Sequence, residues 1–145
     1  MIDLQGILSL LPHRYPFLMV DRVLEVDPGV RLVALKNVTM NEPWVQGHFV
    51  GRPIFPGVLL TEAFAQVAGL AALTGRPDLQ GRPVYLVGMD GVRFRRPVVP
   101  GDQIHFIVEK EWLRRGIWRF NARAEVEGKI AAEGVVMATV AEATP

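Results

Sequence analysis

Between Gly47 and Gln66 the chain brings an imidazole, a helix start and a carboxylate into one short stretch. It reads Gly47-His48-Phe49, then Pro53-Ile54-Phe55-Pro56-Gly57, then an apolar segment with Glu62 inside it. Pro56 suits a helix start, where a missing N–H costs nothing. Gly57 allows close approach to the free amides of the first turn. Those amides and the helix dipole favour a polarised or negative oxygen. Glu62 follows one and a half turns later among apolar neighbours. Such parts can take a proton from a carbon beside a carbonyl and help a hydroxyl leave. Each part alone has a plainer reading. His48 could be a turn histidine bonded to backbone, Glu62 a groove residue or the partner of an arginine, Pro56-Gly57 a mere helix start. Gln66, one turn after Glu62 on the same face, could simply satisfy a polar partner.

The composition removes competing chemistries. There is no cysteine, hence no disulfide framework, no thiolate nucleophile and no Cys-based metal site. Ser9 is the only serine and lies far from any nucleophile elbow, which excludes a serine hydrolase. Three histidines, His13, His48 and His105, are too few for a His-rich metal centre, so no metal is expected. Sixteen basic residues against 15 acidic, net +1, argue against a nucleic-acid binder held by bulk charge. Residues 58–75 are the one apolar run approaching the length of a membrane span. They carry Glu62 and Gln66 and sit at the short limit. The first residues lack the basic region and long apolar run of a signal peptide. The expectation is a soluble, cytoplasmic protein that does not enter a membrane.

The elements around these residues follow from periodicity. A length of 145 residues predicts one domain, 1–145. Residues 1–12 read as a short helix or turn. Strands are expected at 17–26 and 30–40 around Asp27-Pro28-Gly29, then at 84–95, 103–113, 117–127 and 129–141. Arg115-Gly116 and Gly128 mark the last two turns, which makes those strands antiparallel neighbours. Residues 41–57 are a Pro/Gly-rich loop. Residues 58–74 form a helix that is apolar nearly all round, hence buried on most sides. One buried helix with five or six strands implies an α+β fold, an antiparallel sheet wrapped around that helix.

The segment GHFVGRPIFPGVLLTEAFAQ, 47–66, strongly resembles the signature of the (3R)-hydroxyacyl-[acyl carrier protein] dehydratases of type II fatty-acid synthesis, the FabZ-type family. LPHRYPFLMVDRV, 11–23, and RFRRPVVPGDQI, 93–104, agree in order and spacing. One departure is Val50, where the family usually has proline. The resemblance implies a hot-dog fold, and it implies that His48 and Glu62 are the catalytic pair, contributed by two subunits of an obligatory homodimer. Members commonly form a trimer of dimers. The substrate would be a (3R)-hydroxyacyl chain on the phosphopantetheine arm of acyl carrier protein, the product a trans-2-enoyl thioester plus water. His48 would remove the C2 proton, the Gly57 N–H would polarise the thioester carbonyl, and Glu62 would assist departure of the hydroxyl. No cofactor is implied.

Further residues suit secondary roles. Tyr15, Ile54, Phe55, Val58, Leu59 and Phe94 could line an acyl tunnel, with core packing as the alternative for each. Arg93, Arg95 and Arg96 could form a basic patch for the acidic carrier protein, with residues 93 and 95 on one strand face and Arg96 on the other. His13 and His105 read as structural. Competing functions are another hot-dog acyl-thioester enzyme, a thioesterase or a dehydratase/isomerase, and a non-catalytic acyl-binding domain. The isomerase relatives typically carry Asp where this chain has Glu62, and a binding domain has no reason to keep both His48 and Glu62.

Overall fold

The computed structural model describes residues 1–141. Helix α1 (Leu4–Leu10) is followed by β1 (Arg22–Asp27), β2 (Arg31–Asn37), α2 (Gly57–Leu73), a 3₁₀ turn (Pro77–Leu79), β3 (Val84–Phe94), β4 (Gln103–Arg114), β5 (Ile117–Val126) and β6 (Lys129–Val140). The strands form one sheet in the order β1-β2-β4-β5-β6-β3, and every neighbouring pair is antiparallel. The sheet curls around α2, as the hot-dog reading expects.

Alternation sets the two faces of the sheet. Ile104, Phe106 and Val108 of β4, Phe120, Ala122 and Ala124 of β5, and Ala132 and Val136 of β6 are buried in the core with α2. The opposite face carries ion pairs instead. Arg119 bridges Asp90 and Glu111, and Arg123 bridges Glu109 and Glu125. Helix α2 is buried without a break from Ala63 to Leu73, and Phe64 meets Phe106 edge-on at 6.0 Å. Gly69 lets β3 come close, since a Cβ there would stand 3.1 Å from Val84 Cγ2. Two tight turns fall where the sequence places them. Arg115-Gly116 and Glu127-Gly128 have positive φ at both positions, the geometry that suits the twist of a two-residue hairpin.

Two strands are shorter than their sequence patterns suggest. The 17–26 segment is extended only from Arg22, and 30–40 only from Arg31 to Asn37. A buried side chain replaces the ladder at the first. Gln66 of α2 accepts from the Met19 amide at 2.8 Å and donates to the Phe17 carbonyl at 2.7 Å, so 17–19 are pinned to the helix instead of to a strand. After Asn37, the Val38 amide turns to Asp102 O and the Thr39 amide to Glu42. Helix α1 is shorter than 1–12 and is capped by Asp3, whose carboxylate accepts from the Gly6 amide.

Candidate active site

The loop between β2 and α2 carries His48 and fixes its chemistry. The His48 amide bonds Trp44 O at 3.0 Å, and its carbonyl accepts from the Ile54 amide at 2.7 Å. Its ring Nδ1 lies 2.7 Å from Ile54 O. A carbonyl only accepts, so Nδ1 carries a proton, and in the neutral ring Nε2 holds the lone pair. The ring also stacks on Phe49, with centroids 4.1 Å apart.

His48 opens onto a groove whose walls include Ile54, Phe55, Gly57 and Phe94, with Arg95 and Arg96 at its border. Pro56 is the N-cap of α2 and makes no side-chain cap bond. As first residue of the helix, Gly57 has no intrahelical acceptor for its N–H. A Cβ at Gly57 would lie 2.9 Å from Phe94 Cε1, so glycine is what lets this ring close over the helix end. The groove therefore joins a free imidazole nitrogen and a free helix-end amide on an apolar wall.

Glu62 lies on another side of the helix. It is five residues beyond Gly57, about 140° around the axis at roughly 3.6 residues per turn. Gln66 Nε2 donates to Glu62 Oε1 at 2.9 Å, and His13 Nε2 lies 3.5 Å from the same oxygen. Gln66 is wholly buried and thereby locks the carboxylate to the 17–19 segment. Burial pushes the His13 imidazole below its ordinary 6.5, with Arg14 acting in the same sense and Glu62 against it. Its Nδ1 is buried without a partner among the described residues. Those residues include no ion pair between His48 and Glu62: one chain holds each in its own environment.

The other expected site residues divide. Ile54, Phe55 and Phe94 share the groove with His48, and Phe55 is at the same time core, packed edge-on against Trp44 at 5.2 Å. Leu59 packs against the core. Val58 is 73% exposed. Tyr15, 82% exposed, borders a separate hollow with Leu18 and Lys36. A single chain therefore does not gather these six into one tunnel. The expected arginine geometry is also corrected. Strand β3 ends at Phe94, and the Arg95 and Arg96 amides both turn to Ala131 O. Beyond the strand the alternation of faces no longer applies to them; both line the groove, and Arg93 is not among its lining residues. Gln66 lies on the face of Glu62 that the sequence gives it, with its partners left open there; His13 is the residue beside Glu62 that the sequence missed. The four-residue spacing of Glu62 and Gln66 was a usable signal; no local pattern announces His13. Among the described residues no group of three His, Cys, Asp or Glu could hold a metal, and no helix is long and apolar enough to cross a membrane.

Comparison with known proteins bears on this geometry. Residues 11–135 match the FabA-like domain family. The chain is 51% identical over 142 residues to a 3-hydroxyacyl-[acyl-carrier-protein] dehydratase FabZ of Geotalea uraniireducens, covering 97% of this chain and 98% of that one. It is 54% identical to a protein of the same description from Burkholderia lata, covering 96% and 91%, and 53% to one from Cupriavidus metallidurans, covering 98% and 95%. The fold is similar to a chain of the dehydratase heterocomplex ApeI:P from Xenorhabdus doucetiae, with TM-score 0.82 at 17% identity over 94% of this chain and 91% of that one. A hypothetical thioesterase with coenzyme A from Streptococcus pneumoniae gives TM-score 0.64 at 10% identity, covering 86% and 88%.

Proposed function

The chain belongs to the FabA-like domain family, and from that membership we propose how its own residues carry the family's reaction. The chain is a 3-hydroxyacyl-[acyl carrier protein] dehydratase of fatty-acid synthesis, a hydro-lyase that forms the trans-2-enoyl thioester. His48 Nε2 takes the C2 proton. The electron pair of that C–H bond becomes the C2–C3 double bond, and the C3–O bond breaks. The Gly57 N–H steadies the charge that gathers on the thioester oxygen meanwhile. Glu62 of the partner subunit holds the hydroxyl and helps it leave. The proton taken and the hydroxyl lost make up one water, so the step is redox-neutral and consumes no cofactor.

The observation that carries this reading is the fixed tautomer of His48, whose free nitrogen shares a groove with the Gly57 amide. A second supports the shared site. His48 and Glu62 sit on different sides of α2, and β3 is a sheet edge exposing Tyr85, Leu86 and Val87. A second copy pairing along that edge would cover those side chains and bring its own Glu62 toward the groove. We extend the proposal to one catalytic domain over 1–145, a trimer of dimers, a cytoplasmic setting, an acyl path along Ile54, Phe55 and Phe94 completed by the second copy, and carrier-protein docking at Arg93, Arg95 and Arg96.

The test is complementation. His48→Ala and Glu62→Gln chains are each expected to lose at least the roughly 10²–10⁴-fold typical of general acid–base catalysis. Mixed and allowed to exchange subunits, they should regain activity, because a hybrid dimer holds one intact site. No recovery despite verified exchange would place both residues in one chain. Enoyl absorbance measured beside free-thiol release separates dehydration from thioester hydrolysis.

A further inference from the structure

The loop that presents the base is long and irregular, and one carboxylate gathers several of its bonds. Glu42 lies six residues before His48 and its side chain is only 12% exposed. Its Oε2 accepts from the Thr39 amide at 2.8 Å. Its Oε1 takes the Lys36 ammonium at 2.9 Å and the Trp44 indole N–H at 3.3 Å. Lys36 comes from β2 and its side chain is 8% exposed, so the contact ties the loop to the sheet. From Trp44 the hold passes on. The Trp44 carbonyl accepts the His48 amide, and the Trp44 ring packs against Phe55. Lys36 Nζ also stands 5.9 Å from the centre of the Phe55 ring. Phe55 is anchored in turn by its amide on Val98 O, across the groove.

A buried ion pair is a poor way to gain stability, since apolar residues of similar volume often serve as well or better. It does favour one arrangement, because parting the two leaves each largely covered charge without its counter-ion. We propose that Glu42, with Lys36 as its counter-ion, is a positioning residue for His48: the Lys36–Glu42–Trp44 chain sets the register of the loop and so the place of the base in the groove it shares with Gly57. The inference rests on His48 being the base. It assigns Glu42 no contact with substrate.

Steady-state kinetics of the full-length enzyme on a 3-hydroxyacyl thioester, with melting curves, separate the possibilities. The variants are Glu42→Gln, Lys36→Met, the pair Lys36→Met with Glu42→Leu, and His48→Ala. Each single change strands a buried group and is expected to lower both the melting temperature and kcat. The double variant strands no charge, though it removes the acceptor of the Thr39 amide and the Trp44 indole N–H, and should regain part of the lost melting temperature. Its kcat should stay about 10²-fold down, the scale of an ångström-sized misplacement, with KM within about threefold of wild type. Recovery of kcat together with stability would mean that the pair only supports the fold, and would overturn the proposal. Should the double variant not fold, Glu42→Gln is read on the same terms, because it keeps size and one acceptor: kcat loss beyond the folded fraction supports positioning, kcat tracking that fraction overturns it. His48→Ala keeps the two readings apart. If it retains turnover the base assignment fails, whereas an inactive His48→Ala beside a fully active double variant removes Glu42 alone.

Discussion

Gln66 makes three hydrogen bonds with no exposed surface, to Met19 N, Phe17 O and Glu62. Gln66→Leu keeps the volume, removes all three bonds and strands the buried Met19 amide. An unsatisfied buried group costs about 1–3 kcal/mol, so a loss of that size is expected in denaturant unfolding, with turnover falling as Glu62 loses its donor. A midpoint within error of wild type would mean that water replaces the amide. His13 adds a pH dependence with a definite sign. Its folded pKa is lowered by burial, so the unfolded chain binds the proton more readily. The native state should lose stability as pH falls below about 6.5, the loss being complete under the lowered folded value; above 6.5 this contribution disappears. Melting temperatures from pH 7.5 to 5 should fall more steeply for wild type than for His13→Asn, and parallel curves would show that His13 has no such role. These residues also mark what the sequence could and could not tell. His48, Gly57 and Glu62 stand out as candidates because one contiguous stretch carries all three. The contact of His13 with Glu62 does not, because it is made by folding and has no period or spacing of its own.

Helix α2 and its loop were readable for a physical reason. A helix apolar on every side can only lie inside, and Pro and Gly mark both of its ends. Strand ends were less so, because Phe17–Val20 have strand composition while the Phe17 carbonyl and Met19 amide go to Gln66 and the Phe17 and Leu18 amides to Arg14 O. Where a strand bends, glycine is decisive. The β3–β6 register shifts between Asp90 and Arg93, and Gly134 of β6 lies against that bulge. A Cβ at Gly134 would stand 3.0 Å from Val92 Cγ2 and 3.1 Å from Val92 Cα. The second contact is backbone and cannot swing aside. Gly134→Ala should therefore cost about 1–3 kcal/mol, the usual range for overpacking, and should disturb β3 as a pairing edge. The matched control is Gly128→Ala. That site has open space around it but a φ of +76°, so it strains the backbone without crowding β3. Gly134→Ala should shift the monomer–dimer balance and Gly128→Ala should not. Equal effects on assembly would remove the special role of the bulge.

At the scale of the molecule the charges are arranged unevenly. Net charge is only +1, and on the outer sheet face arginines are offset by carboxylates. The border of the groove is different. Arg95 Nε lies 3.4 Å from Glu133, while Arg96 takes part in no ion pair among the described residues. The two line the groove that holds His48, the proposed place of entry for the phosphopantetheine arm. Charges at such a rim act on encounter with the partner and not on the bond that breaks. Arg96→Glu should therefore lower kcat/KM for carrier-bound substrate more than Arg95→Glu, because Glu133 already offsets part of the Arg95 charge. Both variants should leave turnover of a small free thioester near wild type. Raising ionic strength should weaken wild type selectively on the carrier-bound substrate, since the Debye length falls from about 10 Å at 0.1 M to roughly 3 Å at 1 M, and should narrow the gap between wild type and the Arg96 variant. Equal losses on both substrates would mean that the arginines shape the groove, and the docking surface would have to be sought elsewhere.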